Sequence, residues 1–178
     1  MSRVAVAIYP GSFDPFTRGH MDILRRALAI FDHVHVVIAK NPDKEHSMFS
    51  EQQRISIIKV ALNELELHHI DAERVTVLYW SQLIGKYAEQ HNIKHIIRGI
   101  RGSDDMEKET RLAKFNNMAF RLETIYFHSP DEYSNISSSL VRMLIGNQFI
   151  DQAINIMPNG CPAAWLKPLF ERKRVYVK

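Results

Sequence analysis

Runs of five to seven residues dense in β-branched and aromatic side chains alternate along this chain with longer stretches whose apolar residues recur every three or four positions. The runs are "VAVAIY", "HVHVVIA", "RVTVLYW", "KHIIRGI" and "ETIYFH". Between them lie "GHMDILRRALAIF", with Met21, Leu24, Leu28 and Phe31 at helical spacing, "SEQQRISIIKVALNEL" with Ser50 at the N-cap, "QLIGKYAEQH", and "DDMEKETRLAKFNNMAFR" with acidic residues in its first turn. Short strands separated by helices predict an α/β fold: a doubly wound, mainly parallel five-stranded sheet with helices on both faces. "SSSLVRMLIG" opens a helical C-terminal region, which Pro158 and Pro162 interrupt. No flexible linker, repeat or low-complexity segment divides the 178 residues, so one domain is expected, with a core over about residues 3–145 and a helical extension over about 146–178.

Composition narrows the function classes. A 46% hydrophobic content suffices for one core, and no apolar run approaches the ~18 residues of a membrane span. The first residues lack the basic, apolar, small-residue order of a secretion signal. Cys161 is the single cysteine and supports neither an internal disulfide nor a thiolate metal site, so a cytoplasmic protein without membrane contact is expected. The formal charge of +3 is mild, and the basic tail "ERKRVYVK" reads as a solvated terminus rather than a nucleic-acid arm. A basic balance of this size suits a protein whose small ligands are polyanions.

In an open parallel sheet, ligands bind beyond the carboxyl ends of the strands, near the point where strand order reverses. The chemically unusual segments fall there: "PGSFDPFTRGH" after the first strand, "KNPDKEHSMF" after the second, "RGIRGSDD" after the fourth and "SPDEYSNISSS" after the fifth. Gly11 and Ser12 turn the chain sharply, and Gly19 leaves room for a ligand at the helix start that carries His20. Arg98 and Arg101 flank Gly99 and offer planar two-point grips on phosphate, while Lys44 offers a point charge from a neighbouring loop. Ser137, Ser138 and Ser139 begin a helix, so backbone N–H groups and hydroxyls there face a shared anion. Read singly, each has an ordinary structural explanation; their convergence on one rim carries the functional reading. A dinucleotide fingerprint, a phosphate loop ending in Gly-Lys-Ser/Thr, zinc-spaced histidines and a nucleophile elbow are all missing from the sequence.

The segment "TRGH" following "YPGSFDPF" resembles the first signature of the nucleotidylyltransferase superfamily, and "ISSS" resembles its second. With "NPDKEHSMFSEQQR", "IIRGIRGSDDMEKE" and "EYSNISSSLVR" in order, the chain is similar to the bacterial phosphopantetheine adenylyltransferase family over roughly residues 3–145. The resemblance implies a Rossmann-like fold and the reaction of ATP with 4′-phosphopantetheine to give dephospho-coenzyme A and pyrophosphate, with Mg²⁺ bound mainly through the ATP phosphates and no metal site built from protein side chains. It implies direct in-line attack with no covalent enzyme intermediate. His20 would stabilise the transition state, with Lys44 and Arg98 as catalytic partners. Ser12 would touch both substrates, and Lys44, Ile84 and Arg98 would hold the acceptor. ATP would meet Ser12, Phe13, His20, Gly99, Ile100, Arg101, Glu109, Tyr133, Ser134, Asn135, Ile136, Ser137, Ser138 and Ser139. Glu109 shares a helical face with Asp105 and Ala113, which aims it inward towards ribose or another ordered group. A homohexamer, arranged as a dimer of trimers, and coenzyme A as a feedback ligand are also implied. The loop from Lys44 to Phe49 is one residue longer than the family pattern, and Glu45, Gly102, Met106, Lys108, Asn135 and the tail depart from it. Related nucleotidylyltransferases with another phosphate acceptor, and a non-catalytic nucleotide-binding protein, remain as alternatives.

Overall fold

The computed structural model describes residues 4–39, 47–67 and 71–166. Along the chain it runs β1 (Val6–Gly11), α1 (Arg18–Leu28), β2 (His33–Ala39), α2 (Glu51–Leu67), β3 (Val75–Trp80), α3 (Ile84–Gln90), β4 (His95–Ile100), α4 (Ser103–Phe120), β5 (Glu123–His128), α5 (Asp131–Ser134), α6 (Ser138–Gly146) and α7 (Ile150–Asn155). Single turns of 3₁₀ helix at Ala72–Arg74 and Ala163–Trp165 were not legible as separate elements. The strands form one parallel sheet in the order β3-β2-β1-β4-β5. The expected alternation is therefore present, and the strand order reverses beside β1. Among the described residues no helix is long and apolar enough to cross a membrane.

Strand alternation explains the two layers. Ala7 and Tyr9 of β1, with Val34, Val36 and Ile38 of β2, face a core shared with Leu24 of α1, Ile58 of α2, Val141 of α6 and Ala153 of α7. Ile8 and Val37 point the other way, onto Tyr87 and Ala88 of α3 and onto Leu122. Contact between helices is close on that side: a Cβ on Gly85 would stand 2.1 Å from the Phe120 ring, so only glycine lets α3 meet the end of α4. The C-terminal helical run breaks before either proline, between Gly146 and Ile150, where Gln148 takes a φ of 68°.

The second layer also gathers imidazoles. His33 and His35 share a face of β2 with ring centroids 5.1 Å apart. His35 Nδ1 lies 2.7 Å from the Tyr87 hydroxyl, and the His91 ring centroid is 5.9 Å from that of His35. Burial, then His33 and His91, push His35 down from 6.5 to about 4, and burial with Arg74 lowers His33. The unfolded chain thus binds more protons, so this contribution to stability is complete above pH 6.5 and is lost as pH falls towards 4. The melting temperature is expected to drop across that interval, and to drop less in His35→Gln, when both are followed by scanning calorimetry. Identical declines would assign the acid limb to other groups.

Candidate active site

The sheet itself opens the site. β1 pairs with β2 as far as Gly11 opposite Ile38, and β4 pairs with β5 as far as Ile100 opposite His128. Between β1 and β4, however, pairing covers only Ala7 with His95 and Ile8 with Ile96. Pro10 gives the reason. In a parallel strand a residue's N–H and C=O address the same neighbour, and Pro10 has no N–H to offer β4. Its carbonyl instead accepts from Arg98 Nη1 at 2.9 Å, so an arginine side chain fills the split where a ladder bond would lie. A cleft of about 470 Å³ opens above this split, at the reversal of strand order.

The turn after β1 forms one wall. Phe13 adopts φ 42°, a left-handed conformation that costs a non-glycine residue ~1–2 kcal/mol. Its ring is 2% exposed and packs edge-on against Tyr9 and His20 at 5.3 and 5.2 Å, and burial of an aromatic ring contributes ~1.5–3 kcal/mol. Burial therefore outweighs the strain. The buried Asp14 carboxylate accepts from the N–H groups of Met48 and Phe49 at 3.1 and 2.8 Å, which fastens the approach to α2 onto this turn. The Asp14 carbonyl accepts from Arg142 Nη1 at 2.6 Å, and the Pro15 carbonyl from the Ser138 hydroxyl at 2.8 Å, so α6 is fastened there too.

His20 is the third residue of α1 and closes a capping box with Thr17. Its Nδ1 accepts from the Thr17 N–H at 3.0 Å. That bond settles the tautomer: the proton sits on Nε2, which is the donor left for the cleft. Burial, with Arg101 and Arg98 nearby, pushes the ring down to about 3, so it is neutral throughout the physiological range. The Tyr9 phenol is pushed well above its ordinary value by burial and stays protonated.

Across the cleft, Arg98 Nε donates to Glu109 Oε2 at 2.6 Å and Nη2 donates to Oε1, a two-point ion pair whose partners are 25% and 17% exposed. Arg101 Nε donates to Asp105 Oδ2 at 2.9 Å. A Cβ on Gly99 would stand 2.3 Å from Ile23 Cδ1, so the glycine leaves room for the Ile23 side chain of α1 to lie against β4. At the start of α6 the Ser137 hydroxyl accepts from the Leu140 N–H at 3.0 Å, and the Ser139 hydroxyl accepts from Arg142 Nη2 at 3.0 Å. The serine hydroxyls are thus largely engaged in holding the fold. Backbone N–H groups in the first helical turn, at Ser138 and Ser139, are what this helix offers an anion.

Of the residues singled out from the sequence, Ser12, Phe13, His20, Arg98, Gly99, Arg101, Glu109, Tyr133, Ile136, Ser137, Ser138 and Ser139 line this one cleft. Ser134 and Asn135 line an adjoining recess with Arg101 and Gly102. Ile100 is 3% exposed, and its carbonyl accepts from the Ser129 N–H, so it supports the rim from below. Ile84 opens α3, beyond the C-terminal end of the edge strand β3, and packs on the second core layer rather than lining the cleft. Lys44 lies outside the described residues, as does Glu45. Glu109 does face inward, but its carboxylate is taken by Arg98. Tyr9, Thr17, Ile23 and Ser129 also line the cleft and escaped the sequence reading. Their positions held the signal: Thr17 lies within "TRGH", Ser129 directly follows the fifth strand, and Ile23 is one helical step from His20.

Comparison with known proteins follows the same residues. The cytidylyltransferase-like family pattern matches residues 8–144. Phosphopantetheine adenylyltransferase of Thermotoga neapolitana is 41% identical over 138 residues, 77% of this chain and 81% of that one. The chain belongs to the phosphopantetheine adenylyltransferase family. The relative from Synechococcus elongatus extends the match, at 38% identity over 174 residues, 95% of this chain and 98% of its own. Among solved structures, a bifunctional NMN adenylyltransferase/ADP ribose pyrophosphatase from Francisella tularensis, in complex with AMP and a manganese ion, superposes with a TM-score of 0.65 at 17% identity. That match covers 98% of this chain and 56% of the other, and speaks to the fold alone.

Proposed function

We propose that this phosphopantetheine adenylyltransferase family member transfers the adenylyl group of ATP to 4′-phosphopantetheine, giving dephospho-coenzyme A and pyrophosphate in coenzyme A biosynthesis. The observation that carries the reading is one cleft at the switch point in which the Nε2–H of His20, Arg98, Arg101 and the start of α6 face a shared space. An acceptor phosphate with a second pKa near ~6 is largely dianionic at neutral pH and attacks without a general base. Catalysis then consists of holding two polyanions in line and balancing charge on the α-phosphate, with no covalent intermediate. Arg98, with Lys44 from the neighbouring loop, holds the acceptor phosphate; Ser12 serves both substrates; and Ile84 meets the acceptor where its arm extends past β2 towards α3. Gly99, Arg101 and the Tyr133 to Ser139 segment hold the nucleotide, with Phe13 and His20 beside its phosphates.

The two carboxylates lining the cleft, Asp105 and Glu109, are each paired with an arginine, and the described residues contain no metal-binding cluster of three His, Cys, Asp or Glu. A divalent ion, here Mg²⁺, therefore fits this site when carried by ATP phosphate oxygens, where it supplies neutralising charge. Coenzyme A, which shares both halves of the product, is proposed to occupy the same cleft as a feedback ligand. The protein is read as a single cytoplasmic nucleotidylyltransferase domain. Incubation of purified protein with ATP, Mg²⁺ and phosphopantetheine should yield a product with the mass of dephospho-coenzyme A and one pyrophosphate per turnover. Product formed only with another phosphorylated acceptor would move the assignment to a sister activity, and absence of pyrophosphate release with any acceptor would make the cleft a binding site only.

A homohexamer is part of this proposal. Leu112, Phe115 and Met118 recur every third residue of α4 and stand 43% or more exposed, and no residue of that 18-residue helix is buried within the chain, so α4 carries an apolar face suited to a subunit contact. Light scattering is expected to give a mass several times the 20.7 kDa of one chain. A monomer at micromolar concentration would reject the assembly.

A further inference from the structure

Arg54 lies in the first turn of α2 and is 6% exposed, yet none of the chemistry above uses it. Its Nη1 donates to the Ser12 carbonyl at 2.8 Å, while its Nε is buried with no hydrogen-bond partner. No carboxylate among the described residues forms an ion pair with it. Burial and then Glu51, one turn earlier on the same helix, raise the Tyr79 phenol pKa while Arg54 lowers it, and Glu51 forms no ion pair with Arg54. A buried guanidinium without a counter-charge is costly to the free protein, and nearly all such groups are paired. This one stands directly behind the turn that lines the cleft. The Asp14–Pro15 bond is cis but the Ser12–Phe13 bond is trans, so a Ser12 carbonyl turned to Arg54 directs the Phe13 N–H to the opposite side of the peptide.

We propose that Arg54 is a positioning residue of the adenylyl-transfer site: it holds the Ser12 carbonyl out of the phosphate path, and its charge is balanced by the phosphates of bound substrate. The inference rests on reading the cleft as the site of the substrate phosphates. It sets stability against function, because the free protein bears a cost that ligand binding relieves. Arg54→Met removes the charge at similar length; Arg54→Lys keeps it. Without ligand, Arg54→Met should melt at or above the parent's temperature, yet bind inorganic pyrophosphate with Mg²⁺ about ten-fold or more weakly in calorimetry, with a comparable loss in kcat/KM. Arg54→Lys should stay within about three-fold of the parent in both. A purely structural arginine would give the reverse for Arg54→Met: a lower melting temperature, or no folded protein, with unchanged affinity in whatever folds. Either result overturns the proposal, as does an equal loss of affinity in the lysine and methionine variants. If the parent binds pyrophosphate and Arg54→Met binds it equally well, the inference about Arg54 alone fails. If the parent binds none, the phosphate reading of the cleft fails and takes Arg54 with it.

Discussion

His20→Ala is expected to fold as the parent does, to bind ATP within about ten-fold of it, and to lose about 10²–10³ in turnover. The expectation follows from how the ring is held. The Thr17 N–H occupies Nδ1 at 3.0 Å, and the ring packs edge-on to Phe13 and tilted on Phe16, with centroids 5.2 and 5.3 Å away. The imidazole therefore presents a fixed Nε2–H, with little reorganisation left when charge builds on the α-phosphate. Removing one such preorganised donor costs ~2.7–4 kcal/mol in the transition state. Ground-state ATP should lose less, because Arg101 and the start of α6 are the groups proposed to hold the same triphosphate. With its pKa pushed down to about 3, His20 neither gains nor loses a proton between pH 6 and 9. Any acid limb in turnover should then lie near the acceptor's second pKa of ~6 and persist in His20→Ala. Calorimetric ATP titration with single-turnover kinetics separates binding from chemistry. Unchanged turnover in a less stable protein would make His20 a helix cap and nothing more.

How much of this was open to sequence reading depends on the range of the interaction. Strand and helix periodicity is local, so all five strands and the helices between them could be read from "VAVAIY" onward, and with them the strand ends on which the rim is built, whereas the four-residue α5 is too short to show a period. Glu109 could be aimed inward because Asp105, Glu109 and Ala113 share a helical face. That its carboxylate meets Arg98 could not be read, since it depends on how closely α4 approaches β4. The serines show the same limit. An N-cap at Ser137 is a local pattern, but the commitment of the Ser138 hydroxyl to the Pro15 carbonyl joins residues 123 positions apart. Arg54 was invisible for that reason as well: in sequence it is one more charge on an amphipathic helix, and only the fold puts it behind Ser12. Pro10 was legible as an oddity, but its effect on the sheet needed the register of β1 against β4.

The Arg98 and Glu109 pair carries the second large effect. Arg98→Ala should lower kcat/KM for phosphopantetheine by about thirty-fold or more, since the loss of a single charged hydrogen bond alone costs ~1.5–3 kcal/mol. Two consequences add to it. The Pro10 carbonyl loses its donor at the split between β1 and β4. The Glu109 carboxylate, 17% exposed, is left without its partner and faces incoming phosphate, where like charges repel. The second consequence can be isolated, because Glu109→Gln removes the repulsion while keeping the side chain's shape. Arg98→Ala combined with Glu109→Gln should therefore be more active than Arg98→Ala alone, by about three-fold or more, although Glu109→Gln alone should be less active than the parent. Steady-state kinetics on the four proteins at subsaturating acceptor form the required cycle. If the two losses simply add, Glu109 acts on the nucleotide independently of Arg98, and the pair is not the unit that holds the acceptor. If instead ATP affinity falls as far as acceptor affinity in Arg98→Ala, the arginine belongs to both substrates. Arg98 precedes Gly99 on β4 and bonds the Pro10 carbonyl of β1, and with Gly99 and Arg101 proposed to serve the nucleotide, acceptor selectivity is the expected outcome.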